Sequence, residues 1–465
     1  MSEPTHHTGY RQLSFWHESL PEDLEARPAL QGSHDADVAI VGAGYTGLWA
    51  AYYLKRLEPS LDIRLVEAET AGYGASGRNG GWCAAYLSGI DHWLGQVDSR
   101  AAALRLQRLM FETVRDVGEA SAREGIECHY DRSGGLEIAT NEEQLRRLRL
   151  EREHLRALGF GEDDYRWLEG GDLSAIPRIR GARAAIHMPH AAAVHPARLA
   201  RGLAAAVERL GVRIYEHSPA NRAGNGEVIT RGGRILAKHV ILATEGYGGT
   251  LPGRARRLIP VHSMMVATEP LNAEQIAEAG LQTRFCFGSC DHVVTYGQRT
   301  ADDRIAFGCR GTYYFGSHIR RRFDPVHTDF EAVRETLRRF FPTLGDLRFT
   351  HAWGGCLGVS RSLRPSVNYD RESGFGWAGG YFGNGVAASH LAGQTLADLV
   401  LDRDTERVRT PWVNPAEAKR RWEPEPLRWL ELSSARGFMH LVDHAEHRDS
   451  RLAPLLGRVA ERLLA

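Results

Sequence analysis

A short apolar run, Asp37-Val38-Ala39-Ile40-Val41, leads directly into Gly42-Ala43-Gly44-Tyr45-Thr46-Gly47, and this junction constrains the fold more than any other feature. Such a run forms a buried parallel strand. The stretch after it, through Leu48, Ala51, Leu54 and Leu57, is spaced as a helix, and Ile63-Arg64-Leu65-Val66 reads as a second strand ending at Glu67 and Ala68. Gly42 permits a tight turn, Gly44 lets the backbone approach a pyrophosphate, and Gly47 lets the helix pack close to the strand. The helix N-terminus offers unpaired N–H groups and the positive end of its dipole to phosphates. Glu67, 20 residues past Gly47, stands where a carboxylate accepts hydrogen bonds from ribose hydroxyls. An acid there argues against a 2′-phosphorylated cofactor. A glycine-rich turn beside a surface glutamate is the plain alternative, since glycine makes up 50 of 465 residues. Strand, helix, second strand and acid in one register favour an adenine-dinucleotide site.

Composition narrows the rest. A chain of 465 residues suggests about two domains. Acidic and basic residues balance at 58 each, so no bulk field attracts nucleic acid or an anionic membrane. Lysine occurs only at Lys55, Lys238 and Lys419, which limits where a catalytic lysine could be. The cysteines Cys83, Cys128, Cys286, Cys290, Cys309 and Cys356 form no Cys/His cluster with zinc-ligand spacing, so no metal site is expected. The polar stretch from Met1 to Tyr10 has no signal-peptide core, and no run approaches the roughly 18–20 apolar residues of a membrane span. A cytoplasmic protein is the expectation.

The adenine-binding unit alone does not separate FAD from NAD. The segment Gly72-Tyr73-Gly74-Ala75-Ser76-Gly77-Arg78-Asn79-Gly80-Gly81 follows the acid directly and supplies backbone N–H groups, a hydroxyl and a guanidinium to a second stretch of cofactor. A flexible glycine loop is its bland reading. Together with the first glycine motif and Leu65-Val66-Glu67-Ala68, this segment resembles the D-amino-acid-oxidase superfamily of FAD-dependent oxidoreductases. The resemblance is strongest to its glutamylputrescine-oxidase-like amine oxidase branch, and it extends from Ser14-Phe15-Trp16 to about Leu401. It implies FAD contacts at Ala220, after Ser218-Pro219, and at Ala243 and Thr244, which close the strand Val240-Ile241-Leu242. It also implies a last flavin-contacting turn at Gly380, Gly383, Asn384, Gly385 and Val386. A helix starting there would point its positive end at the flavin pyrimidine ring and stabilise the charge that develops on reduction.

The expected architecture is α/β: a discontinuous Rossmann-like FAD-binding domain (36–100, 193–252 and 348–405) and an α+β substrate domain (101–192 and 253–347). The resemblance implies a mixed, largely antiparallel sheet in the latter. The tail 406–465, with Trp412, Trp422 and Trp429, reads as a helical wrap or an oligomer contact, and the oligomeric state stays open. A proline at the first helical turn opens a helix after Val194-His195, and a second helix is capped by Asn141, with Gln144 at the capping-box position.

The implied reaction is oxidation of the C–N bond of a small amine or amino acid to an imine, with molecular oxygen reoxidising the flavin. An amine dehydrogenase using another acceptor, a quinone or electron-transfer protein, is the alternative, and a flavin-binding subunit of a larger complex is a third. Arg361 falls where the superfamily's amino-acid oxidases place a carboxylate-binding arginine; a surface ion pair is its alternative. Tyr296 is expected to face the flavin and Trp353 to wall the pocket, each with a packing role as the alternative. Ala306 fills the place of the oxygen-activating lysine of sarcosine oxidases, which puts fast reaction with oxygen in doubt. Cys356 sits close to where those enzymes attach flavin covalently; non-covalent FAD is the expectation here, with a covalent link through Cys356 as the alternative.

Overall fold

Val38, Ala39 and Ile40 have no exposed surface, because the strand Gly32–Val41 is hydrogen-bonded on both sides by parallel strands in this computed structural model. The structure describes residues 8–22, 24–448 and 450–464, so the polar stretch 1–7 lies outside the described residues. The first sheet runs Ser366–Asp370, Phe375–Gly379, Gly233–Leu242, Gly32–Val41, Ile63–Val66, Arg213–Tyr215. Its central pairs are parallel, and an antiparallel flap, Ala220–Gly224 with Glu227–Thr230, extends from Gly233–Leu242. The helix Tyr45–Leu57 packs between the helices Pro196–Arg209 and Gly385–Val400. Pro196 opens its helix in the first turn as the sequence predicts, with the His195 ring accepting from the Arg198 N–H.

The second sheet is mixed. Its order is Phe349–Ser360, Leu258–Thr268, Ile305–Tyr313, Thr295–Arg299, Cys286–Ser289, Gly135–Ala139, Ala184–Met188, Arg166–Glu169, and every pair is antiparallel except Cys286–Ser289 with Gly135–Ala139. One boundary differs from the sequence expectation. Residues 349–360, assigned above to the cofactor domain, pair along their length with Leu258–Thr268 and belong to the second sheet. Trp353-Gly354-Gly355 runs extended there, paired with Met265, Met264 and Ser263, and Gly354 leaves room for the Phe323 ring, which packs 2.5 Å from where a Cβ would lie.

Asn141 caps the helix Glu142–Ala157 by accepting from the Gln144 N–H, 2.9 Å. The expected reciprocal box does not close: the Gln144 side chain instead accepts from Thr140 and donates to Asp291. The tail forms the helices Leu427–His447 and Ala453–Leu464. Asp443 accepts from the His292 and Val293 N–H groups (2.8 and 2.9 Å), and Glu446 takes both Arg147 nitrogens at 2.6 and 2.8 Å. His292, Asp443 and Glu446 could each offer a metal ligand, with the three atoms within 4.8 Å of one another. Those carboxylates are already engaged by N–H donors, so the cluster works as a clasp holding the tail to the second sheet.

The Glu446 side chain is fully buried and Arg147 is 17% exposed. Glu446→Gln is expected to destabilise the protein by about 2–4 kcal/mol, since it strands a mostly buried guanidinium. Urea unfolding should show this, with faster proteolytic cleavage within the last forty or so residues. An unchanged midpoint and cleavage pattern would refute the clasp.

Candidate active site

The parallel pairing sets Val41 level with Val66 on one side and Leu242 on the other, so Gly42, Glu67 and Ala243 leave the sheet along one edge. Gly42 turns there with φ of +108°, and a Cβ on it would lie 2.5 Å from the Ala243 carbonyl oxygen. A Cβ on Gly47 would lie 2.1 Å from the Gly42 carbonyl oxygen, so only glycine lets the helix start this close to the strand. The Tyr45 N–H in the first helical turn donates to Ser76 Oγ, 2.9 Å, which brings the second glycine-rich segment against the first.

These elements enclose a cavity of about 300 Å³. Gly42, Gly44, Tyr45, Thr46, Glu67 and Ala68 line one end, with Gly74, Ala75, Ser76, Asn79 and Gly80 beside them. Ala220, Ala243, Thr244, Gly383, Asn384, Gly385 and Val386 complete that enclosure. Gly47, Arg78, Gly81 and Gly380 do not line it and act from behind. Arg78 is buried: Nε donates to the Tyr73 carbonyl at 2.8 Å and Nη1 to the Arg321 carbonyl at 3.1 Å. Trp353 also stands outside the wall, donating from Nε1 to the Arg78 carbonyl at 2.9 Å and packing near Phe15 and Trp16. Arg361 is not in the cavity. It pairs with Glu423 and Glu431 and lies over the Trp422 ring, so the ion-pair alternative is the one the structure adopts, with partners from the tail.

Two carboxylates, Glu67 and Glu245, line the cavity with no arginine or lysine paired to them among the described residues. Glu67 accepts from the Ala43 N–H at 2.7 Å and the Glu69 N–H at 3.0 Å. Glu245, which sequence reasoning missed, accepts from the Gly380 and Tyr381 N–H groups at 2.9 and 3.1 Å and presses against Gly358. Burial pushes each up to about 7, opposed by these N–H donors; the nearby Glu216 and Glu69 carboxylates push Glu67 further. Glu245 thus fastens the turn before the helix Gly385–Val400, whose first N–H groups have no side-chain cap.

The wall contributed by the second sheet carries Tyr296, Arg310, Val294, Ser263 and Cys356, and Trp82 and Phe382 join it. Tyr296 lies where Cβ atoms on Gly80 and Gly308 would be, 2.6 and 2.8 Å from its ring, so those glycines make its berth. Its hydroxyl donates to the Cys309 carbonyl at 3.2 Å, and burial pushes its pKa up, so it stays protonated. Arg310, Trp82 and Phe382 were not singled out from sequence. The alternation that places Ala306 in a strand puts Arg310 on the same face, a signal obscured by the strand's length, Ile305–Tyr313.

A glycine-bounded helix start, an acid after the second strand and a cavity reaching a second sheet define a dinucleotide-binding oxidoreductase site. The FAD dependent oxidoreductase (DAO) family model matches residues 37–399, and the chain belongs to that FAD-dependent family. Gamma-glutamylputrescine oxidoreductase of Escherichia coli is 32% identical over 390 residues, covering 81% of this chain and 86% of that protein. Among solved structures, glycine oxidase from Geobacillus kaustophilus superposes with a TM-score of 0.65 at 22% identity, covering 80% of this chain and 96% of that one. L-proline dehydrogenase from P. horikoshii gives 0.66 at 17% identity, covering 82% and 98%. These last two likenesses establish the shared fold.

A carboxylate raised in the folded state contributes stability that is present at low pH and lost as pH rises through its folded pKa. Relative to Glu245→Gln, the wild type should therefore lose on the order of 3 kcal/mol between pH 4.5 and pH 8. Chemical denaturation of both proteins across that range measures it; parallel curves would show that Glu245 does not titrate as the geometry requires.

Proposed function

We propose that this flavoenzyme oxidises the C–N bond of a small amine or amino acid to an imine, which then hydrolyses, with molecular oxygen as acceptor and hydrogen peroxide as product. The observation that carries this reading is the continuity of one cavity from the glycine cradle to the aromatic wall of the second sheet. A relative named for gamma-glutamylputrescine oxidation supports the amine chemistry. Bound FAD would supply the acceptor for the hydride equivalent. The residues fitted to hold it are the Gly42–Gly47 turn and helix start, Glu67 at the ribose position, the segment Gly74–Gly80, and the helix start at Gly385 and Val386.

The protein's own groups shape the reaction around it. Trp82, Tyr296 and Phe382 exclude water and favour the neutral, oxidisable form of an amine, because a desolvated ammonium loses hydration. Tyr296 hydrogen-bonds away to a backbone carbonyl and acts as wall rather than base. The dipole of the helix Gly385–Val400 favours negative charge at the end of the cavity it faces. FAD is held without a covalent bond in this reading, because burial pushes the Cys356 thiol up and keeps it protonated and unreactive. The cytoplasm suits a chain whose six cysteines are free.

A dehydrogenase passing electrons to another acceptor is the second reading. The observation favouring it is that none of Lys55, Lys238 and Lys419 lines the cavity; its cationic side chains are Arg310 and Arg321.

Anaerobic addition of amines to the purified yellow protein should bleach the flavin, and admitting air should restore the colour with one peroxide per amine. Bleaching that recovers only with an artificial acceptor would establish the dehydrogenase, and no bleaching with any amine would remove the amine reading. Acid precipitation should release all the flavin into the supernatant. A yellow pellet that loses its colour in Cys356→Ala would show the covalent link instead.

A further inference from the structure

The segment that leads into the strand Leu258–Thr268 is a chain of tight turns. The Leu251, Arg254 and Arg257 N–H groups each donate to the carbonyl three residues back, at 3.1 Å. A three-residue repeat sets side chains above one another, and Arg254 and Arg257 both line a small cavity of about 30 Å³. Neither arginine lines the larger cavity of the glycine cradle; Thr244 and Glu245 line both spaces and stand in the wall between them. The Arg254 guanidinium lies 4.4 Å from the centre of the Phe375 ring, and Arg257 Nε is buried with no hydrogen-bond partner. Among the described residues neither side chain makes an ion pair or donates a hydrogen bond. Arg361 and Arg364, by contrast, are matched to Glu423, Glu431 and Glu417. Burial, joined by the like charge of Arg257, brings Arg254 down to about 10. Burial and the charge of Arg421 lower Arg257 in the same way.

Two half-buried guanidinia that repel each other across a largely apolar lining, with Leu242, Leu258, Trp377 and Ala378, are costly without a counter-charge. The acid in that lining, Glu245, is held by the Gly380 and Tyr381 N–H groups and is paired with neither arginine. We propose that Arg254 and Arg257 form a binding site for one tetrahedral oxyanion of the phosphate type, on the outer side of the Glu245 wall. The oxyanion is either a free ion or the phosphoryl group of a larger ligand. A space of this size holds about two waters, which suits a single oxyanion and excludes a base or sugar. Each planar guanidinium can take two oxygens of such a group at once. A second basic run adjoins the first. The Trp422 N–H donates to the Arg256 carbonyl at 2.8 Å, and Arg256 Nη1 donates to the Trp422 carbonyl at 3.2 Å. The exposed Lys419, Arg420 and Arg421 therefore stand beside the cavity, where their field draws anions toward it. The rival role is a solvated basic face, which attracts any anion weakly and without fixed stoichiometry.

The site is tested without turnover, on the flavin-loaded full-length protein. Inorganic phosphate and ADP are each titrated by calorimetry, with chloride holding the ionic strength constant and FAD content checked throughout. One anion should bind per chain, with Kd raised about 10-fold or more in Arg254→Gln and in Arg257→Gln. The exposed control Arg420→Gln should leave Kd within about twofold, and FAD content should not change in any variant. Phosphate should also raise the urea midpoint of the wild type and not that of the doubly substituted protein. Neither arginine holds a carboxylate, so the substitutions strand no partner and should leave the midpoint without phosphate unchanged. Should either glutamine variant fail to fold, Arg254→Lys and Arg257→Lys carry the same test, because they keep the charge and lose the paired bonds. ADP binding tighter than phosphate assigns the site to a phosphorylated ligand, and equal or weaker binding assigns it to the free ion. The proposal is overturned if neither probe binds beyond chloride, if both glutamine variants keep the wild-type Kd, or if Arg420→Gln weakens binding as much as they do.

Discussion

The structure depends on the in-register pairing of Gly32–Val41 between two parallel neighbours. The Gly42 N–H donates to the Val66 carbonyl and the Ala243 N–H to the Val41 carbonyl, both at 2.8 Å. These two bonds end three strands at one level, so a tight turn, an acid and the Ala243–Thr244 turn share a single edge. Parallel strands need crossover segments, and here the crossovers are the helices and the whole second domain. The glycine cradle is therefore a consequence of sheet register, with the glycines allowing the helix to follow at once.

The seam between the two sheets is held by hydrogen bonds to glycine-rich backbone rather than by ion pairs alone. The Gln298 side chain donates to the carbonyls of Gly80, Gly81 and Val194 at 2.8, 3.1 and 3.3 Å, and Trp82 Nε1 donates to the Gly297 carbonyl at 3.1 Å. Such a seam fixes the aromatic wall at a set height above the cradle, because each donor satisfies buried carbonyls that would otherwise be costly. Tyr296 is positioned from both sides at once, by Gly80 of the first domain and Gly308 of its own sheet.

Charge inside the enclosure is arranged with few direct pairs. Glu67 and Glu245 are steadied by backbone N–H groups, Arg310 by an aromatic face, and the ends of two helices supply the remaining positive potential. A ligand entering such a space meets groups whose hydrogen-bonding capacity is pre-set by the backbone, which lowers the reorganisation cost of binding. The Arg321–Glu69 ion pair, with Tyr10 donating to the same carboxylate, ties the segment after the strand Ile305–Tyr313 and the N-terminal segment to the cradle at its rim.

The sequence by itself determined the cradle. Gly42, Gly44, Gly47 and Glu67 act through local backbone geometry, and their spacing along a strand–turn–helix–strand unit is legible without any long-range contact. The same holds for the helix starts at Pro196 and Gly385. The far end of the cavity was decided by tertiary structure, for a physical reason: it is made largely by strands that begin at Leu258 and later, far along the chain from the cradle glycines, and a strand's pairing partner has no local signature. That is why residues 349–360 moved to the second sheet, why Arg361 went to the tail's glutamates, and why Arg310, one arginine among many in the sequence, became the cation facing the cavity.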